Sequence, residues 1–196
     1  MWAVVKSSYM LEHPDKYNKY LLGNNLVVWD NQQERLVNTP KITKFAKWQI
    51  SGFVDGEGSF CLNVKKHPNS KHGFRIDPAF YVYQHRKHRW FLEVIRHMFK
   101  GGSIHSKTSP ATVLTYQLAG IRPNYEKVIP FFKKYHLITK QKQFELFTQG
   151  VELMMQKKHL TTSGKIELVE IAFEMNAIGK GRKWNKKEVI SRILRD

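Results

Sequence analysis

The stretch WQISGFVDGEGSF, residues 48–60, constrains the chain more than any other, because it sets a helix, two carboxylates and the start of a strand side by side. Read as a helix, Ala46, Trp48, Ile50, Phe53 and Val54 form an apolar side, while Ser51, Gly52, Asp55 and Gly56 lie along another. Gly52 and Gly56 are four apart and stack on one face. Each glycine inside a helix costs about 1 kcal/mol against Ala, so the pair needs a reason, and close approach of another backbone supplies one. That steric logic is the small-xxx-small pattern known best from membranes, and it holds in water. Gly58 ends the helix and opens an alternating segment, which leaves Glu57 in the last turn. A carboxylate there sits at the negative end of the helix dipole. A positive partner, most simply a metal ion, would neutralise it.

Charge narrows the partner. The 196 residues hold 33 Lys plus Arg against 16 Asp plus Glu, a net charge of +17, with a pI of 9.9. A charge of that size favours a polyanion. No apolar run approaches the ~18 residues of a spanning helix and no basic amphipathic tail stands out, so nucleic acid is expected rather than a membrane. The length suits one sizeable core, or a core with an appendage. Cys61 is the only cysteine, which rules out a disulfide within the chain, argues against a Cys-based zinc site and suits a reducing compartment. The first residues lack an apolar stretch followed by a cleavage site and include acidic residues that transit peptides avoid, so the chain is expected to act where it is made. Nine histidines raise the question of a metal site, and His85 and His88 are three apart. With no cysteine cluster beside them, the zinc-stabilised His-Cys and HNH nucleases are poor readings.

Residues 1–43 read as an N-terminal extension with one helix and a possible strand, and residues 44–196 as the main domain. Within the latter, Phe60, Leu62 and Val64 alternate with Ser59, Cys61, Asn63 and Lys65, a half-buried strand with a polar outer face. The loop HPNSKHG turns it into a second strand, 74–84, which Pro78 marks as an edge or a bulge. On that strand Phe80 and Val82 point to the core, with Ala79, Tyr81 and Tyr83 on the other parity. A helix over 87–99 carries Trp90, Phe91, Val94, Ile95 and Met98 at helical spacing, and Lys100-Gly101-Gly102 stops it. A second hairpin follows over 103–119, then helices over 124–135, 139–157 and 162–178, and a short terminal helix from Trp184.

Residues 50–58, ISGFVDGEG, resemble the LAGLIDADG motif of homing endonucleases position by position, with both glycines and both acidic residues in place. The resemblance extends over residues 46 to about 178 and implies an α+β fold with an αββαββα core, an antiparallel DNA-binding saddle sheet and a helical C-terminus. It implies that Glu57, with Gly56 beside it, holds Mg²⁺ or Mn²⁺ at the scissile phosphates. Mg²⁺ needs only one or two protein carboxylates and hard oxygen ligands, and metal-activated water suits phosphodiester hydrolysis. Asp55 points to another side of the helix and is expected to cap or orient. With one motif copy in the chain, the helix pair must come from two chains. The resemblance therefore implies a homodimer joined through Ser51, Gly52, Asp55 and Gly56, with Gly52 and Gly56 meeting their own symmetry mates.

The segment QHRKHRWFLEVI, residues 84–95, resembles the strand-to-helix passage of homodimeric intron-encoded relatives and assigns Gln84 to positioning the attacking water. His88 stands where those relatives often carry Arg, and Arg89 is read as a brace of the fold or a contact to the backbone. ITKQKQ, residues 138–143, resembles the family's basic segment at a helix start and assigns Lys140 to the scissile phosphate, with Lys142 among the DNA contacts. Strand outer faces suit the major groove, which nominates Ser59, Cys61, Asn63, Lys65, Arg75, Tyr81, Tyr83, His105, Lys107, Thr115 and Gln117. Lys66, Lys71, His72, Lys180, Arg182 and Lys183 are expected on phosphates. The function implied is a site-specific double-strand DNA endonuclease of intron homing, chloroplast or mitochondrial if intron-encoded. The alternatives are an RNA-binding intron maturase and a catalytically inactive DNA-binding regulator.

Overall fold

Helix α1, Lys44–Glu57, and strand β4, Gly58–Lys66, meet without a linker, as the change of period at Gly58 predicts. The computed structural model of the chain describes residues 17–22, 25–38, 41–70, 73–106, 112–175 and 184–195. They belong to two compact units, Met1–Phe53 with Tyr83–Tyr116 and Val54–Val82 with Gln117–Asp196. After β4 come β5, Phe74–His85, helix α2, Arg89–Phe99, and strands β6, Ser103–Ser106, and β7, Val113–Ala119. A helical segment follows, Ile121–Pro123, Asn124–Val128 as π-helix and Ile129–Lys134, here α3, then α4, Gln141–Met155, α5, Thr162–Met175, and α6, Lys186–Leu194. Helix, hairpin, helix, hairpin, helices is the expected αββαββα series, and its four strands form one sheet in the order β4-β5-β7-β6.

In the first unit, the described residues of 17–38 form a three-stranded antiparallel sheet, more strand than the single one expected there. Its strands are β1, Tyr17–Leu22, β2, Asn25–Asp30, and β3, Arg35–Leu36; residues 1–16 lie outside the described residues. Val27, Val28 and Trp29 are buried, and Asp30 stays buried because its carboxylate accepts from the N–H groups of Gln32 and Gln33 at 2.9 and 3.0 Å. Where β3 gives out, Asn38 takes its place, accepting from Val28 N–H at 2.8 Å and donating to the Leu26 carbonyl at 2.7 Å. This sheet is fastened to α2. Glu34 reaches Arg86 at 3.3 Å and Arg89 at 3.2 Å, and Tyr20 stacks on Trp90 with centroids 4.2 Å apart. Arg89 also binds the buried Glu93, so it braces the fold as expected. Helix α2 starts at Arg89, after a 3-10 turn Arg86–His88, and stops at Lys100, whose left-handed φ of 48° turns its N–H back to the Arg96 and His97 carbonyls.

The second unit is built on Phe60, which touches the rings of Phe80, Phe132, Phe144 and Phe147 at centroid distances of 5.3 to 5.4 Å. Gly150, inside α4, is explained by β4: a Cβ there would overlap the Leu62 side chain. Pro78 corrects the sequence reading. Strand β5 lies between β4 and β7, and its ladder with β4 runs unbroken from Gly58↔Val82 to Lys66↔Phe74. A residue's N–H and C=O face the same neighbour in such a ladder. Pro78 O accepts from Gly120 N–H at 3.0 Å, just past the end of β7. The Gly120 carbonyl that a Pro78 N–H would have served is met instead by the Asn124 amide at 2.7 Å. The missing donor therefore costs no ladder bond. Asn124 is fully buried and also reaches the Leu118 carbonyl, which ties the start of α3 to the sheet three residues earlier in the helix than expected. Ala79, placed on the outer parity, is itself buried.

Candidate active site and nucleic-acid face

Helix α1 buries Ala46, Ile50 and Val54, but Trp48 is not on that side: it is 43% exposed, and Phe45 is 59% exposed. Gly52 and Gly56 are exposed too, and a Cβ at either would meet nothing within 4 Å. Nothing among the described residues requires these glycines. Of the other residues expected between copies, Ser51 is 1% exposed, so its side chain is taken into the chain's own core. The junction after Glu57 is tight in a different way. A Cβ on Gly58 would lie 2.5 Å from Val54 Cγ1 and 2.7 Å from the Val54 carbonyl oxygen. Gly58→Ala is expected to cost about 1–3 kcal/mol, as overpacking does, measured by urea unfolding.

Asp55 caps α4 from another helix. Its carboxylate accepts from the N–H groups of Ile138 at 3.1 Å, Thr139 at 3.0 and 2.9 Å, and Lys140 at 2.9 Å. The side chain is thus engaged within its own chain rather than turned to a partner. Burial works to raise its carboxyl, yet the bonds from Thr139, Lys140 and Ile138 outweigh it and hold the group below its ordinary value. Because the folded value is depressed, the stabilisation is present above the ordinary carboxylate range and is lost as pH falls through the lowered value. Asp55→Ala is expected to cost about 1–2 kcal/mol at neutral pH, the usual worth of a cap. Urea melts across pH should show the difference from wild type shrinking in acid.

Lys140 answers in the other direction. Its ammonium donates to the carbonyl oxygens of Asp55 and Gly56, the latter at 2.8 Å. Those are the last carbonyls of α1, so Lys140 supplies the cation that a helix C-terminus favours. The two residues form a reciprocal clamp, an acid from α1 on the start of α4 and a base from the start of α4 on the end of α1. The resemblance assigned Lys140 to the scissile phosphate; the clamp was not foreseen. Glu57, the last residue of α1, is exposed and takes no part in it. It makes no hydrogen bond or ion pair among the described residues.

These oxygens can be weighed against a divalent ion. Glu57 offers an exposed hard-oxygen donor, which fits a largely hydrated Mg²⁺; Gly56, expected beside it, already has its carbonyl on Lys140. No group of three or more His, Cys, Asp and Glu gathers among the described residues. Gln84 and His88 belong to the first unit, Glu57 and Lys140 to the second. Gln84 is half-buried at the end of β5, its side-chain oxygen accepting from His85 N–H at 2.7 Å, and His88 is exposed just before α2.

The outer face of β4 and β5 in the second unit is a linked polar array. Ser59 Oγ lies 3.3 Å from Cys61 Sγ, Asn63 donates to Tyr81 OH at 3.3 Å, and Gln117 donates to the same hydroxyl at 3.4 Å. Burial pushes the Tyr81 hydroxyl above its ordinary range, partly offset by Asn63. Arg75 and Lys65 both contact Asp77, a residue the sequence reading passed over. Its signal was available: an acidic side chain with outer parity in a strongly basic chain. Lys66 sits 4.1 Å over the Trp184 ring, and Lys142 pairs with Glu174 at 3.7 Å. In the first unit Tyr83 and His105 are half-buried. Thr115 is only 2% exposed, so the parity that nominated it for a groove contact is overridden by packing. Lys71, His72, Lys107, Lys180, Arg182 and Lys183 lie outside the described residues. No described helix is long and apolar enough to cross a membrane.

The family model described as LAGLIDADG endonuclease matches residues 50–151. "Probable intron-encoded endonuclease 2" of Neurospora crassa is 33% identical over 128 residues, 65% of this chain and 28% of that protein, so the chain spans little more than a quarter of that relative. Among solved structures, the archaeal intron-encoded homing endonuclease I-Vdi141I complexed with DNA is 30% identical, with a TM-score of 0.70 over 77% of this chain and 96% of its own. I-SmaMI, bound to an uncleaved DNA target in the presence of calcium ions, is 30% identical with a TM-score of 0.65 over 76% of this chain and 49% of its own. The motif at the end of α1, the αββαββα order and a match over half the chain agree: the chain belongs to the LAGLIDADG endonuclease family.

Proposed function

We propose that the chain is a site-specific endonuclease that cuts both strands of a long, nearly palindromic duplex as a homodimer, using Mg²⁺ or Mn²⁺. The observation that carries this reading is Glu57: an exposed carboxylate without a partner among the described residues, at the end of a helix whose glycine face has no occupant among them either. Two copies of α1 meeting at Gly52 and Gly56 would bring two such carboxylates together, one for each strand cut. Phe45 and Trp48, exposed on the same helix, join that interface in this reading. DNA complexes of I-Vdi141I and I-SmaMI support the partner, and the calcium in the latter supports a divalent ion.

Within each chain, Glu57 would hold the ion, which when bound would supply charge neutralisation at the leaving oxygen and an acidified water. Gln84 orients the attacking water. Lys140 keeps positive charge at the phosphate from its anchorage on the α1 carbonyls, and His88 serves as a hydrogen-bond donor to the phosphate. As a relative of intron-encoded proteins, the chain is read as a homing enzyme of a chloroplast or mitochondrion. Incubation with a randomised duplex library and Mg²⁺, followed by sequencing of cut ends, tests the whole reading. A single enriched, nearly palindromic site supports it. Binding without cuts under any divalent ion would favour the regulator, and preference for the intron transcript the maturase.

A further inference from the structure

Asp77 is the only acidic residue in strands β4–β7. It lies on the outer face of the β4–β5 ladder, opposite Asn63, and the next pair on that face is Lys65↔Arg75. Its carboxylate takes Arg75 in a two-point fork, Nε to Oδ1 at 2.7 Å and Nη2 to Oδ2 at 2.9 Å, with Lys65 Nζ at 3.3 Å. Asn63 fixes the stem of this arrangement by donating to the Asp77 main-chain carbonyl at 3.2 Å. The side chains of Lys65 and Arg75 remain 55% and 56% exposed, against 24% for Asp77.

Stability does not account for the cluster, since exposed ion pairs contribute little. Electrostatics argues against it, because a carboxylate on a surface that meets a polyanion repels the partner. What the cluster does supply is orientation. A guanidinium presents five N–H groups on two edges. Asp77 occupies the Nε–Nη2 edge and leaves the Nη1–Nη2 edge, whose paired N–H groups match guanine O6 and N7 in the major groove. A surface arginine without such a brace swings freely and binds any phosphate in reach, whereas a braced one is held to a single direction.

We propose that Asp77 is a positioning residue for sequence discrimination, holding Arg75 to read one guanine in each half of the DNA site and withholding Arg75 and Lys65 from indiscriminate phosphate contact. This rests on the reading of the chain as a DNA-binding endonuclease. The test is selection of bound duplexes from a randomised library by the full chain with Ca²⁺, for wild type, Asp77→Asn, Arg75→Ala and Arg75→Lys. Wild type is expected to enrich guanine at one position per half-site. All three variants are expected to lose that preference, by roughly tenfold or more, while keeping the preferences at other positions. Asp77→Asn is also expected to bind random duplex at least as tightly as wild type. The surface position of these side chains predicts unchanged thermal melting. An Asp77→Asn profile identical to wild type overturns the proposal. So does loss of preference at different positions in the Asp77 and Arg75 variants, or a uniform blurring of every position. A wild-type chain that enriches no sequence at all would instead overturn the endonuclease reading on which the proposal rests.

Discussion

Glu57→Gln is expected to stop DNA cleavage while leaving DNA binding and thermal stability as they are. The glutamine is isosteric, and Glu57 makes no hydrogen bond or ion pair among the described residues, so the fold loses nothing by the change. The reaction loses its only carboxylate at the end of α1 that is not already committed, since Asp55 is spent on the α4 N-terminus. Charge stabilisation by a bound divalent ion is worth several kcal/mol, so the cleavage rate should fall roughly 10³-fold or more. Gel shift with Ca²⁺ and cleavage with Mg²⁺ on the same duplex separate the two effects. Cleavage at the wild-type rate would falsify the assignment. The contrast with Asp55→Ala is informative. That variant should lose stability first and activity only through the displaced Lys140 clamp.

Gly52→Leu and Gly56→Leu should each abolish the homodimer and the activity together, yet leave a folded monomer. The second half of that expectation comes from the structure. A Cβ at either position meets nothing within 4 Å among the described residues, so the new side chain has room as long as the chain is alone. Leucine would even remove the helix cost of about 1 kcal/mol that each glycine carries. The loss must then appear only where a second backbone has to approach. Sedimentation velocity reports the oligomer, circular dichroism the fold, and library cleavage the activity. A monodisperse, active dimer of either variant would remove the proposed helix pairing. A variant that unfolds would show instead that the face is covered within the chain.

Much of the fold was legible because it follows local rules. The period changes from helical to alternating at Gly58, and the helix and strand change over at that residue. Phe60, Leu62, Phe80 and Val82 follow their parity into the core. Lys100 marks the end of α2, and the left-handed backbone begins at the lysine itself, one residue before the glycines that share it. Parity failed at Thr115 and Ala79, which have the outer register and are buried all the same. Pro78 misled because the strand rule asks where the missing N–H points. That depends on where β7 ends, a fact no local window contains.

The sequence by itself determined the motif, the helix-to-strand junction, the excess positive charge and the identity of the single carboxylate that ends α1, since these depend on residue type and spacing within one or two turns. Only the tertiary structure decided what the neighbouring side chains are for. Residues 83 to 85 positions apart in the chain meet at the end of α1, where Asp55 caps α4 and Lys140 caps α1 in return. That contact satisfies the unpaired N–H groups of one helix and the unpaired carbonyls of the other. Glu57 is left as the group of that helix end with no structural task among the described residues, and this, more than its place in a motif, is the physical reason to assign it to chemistry.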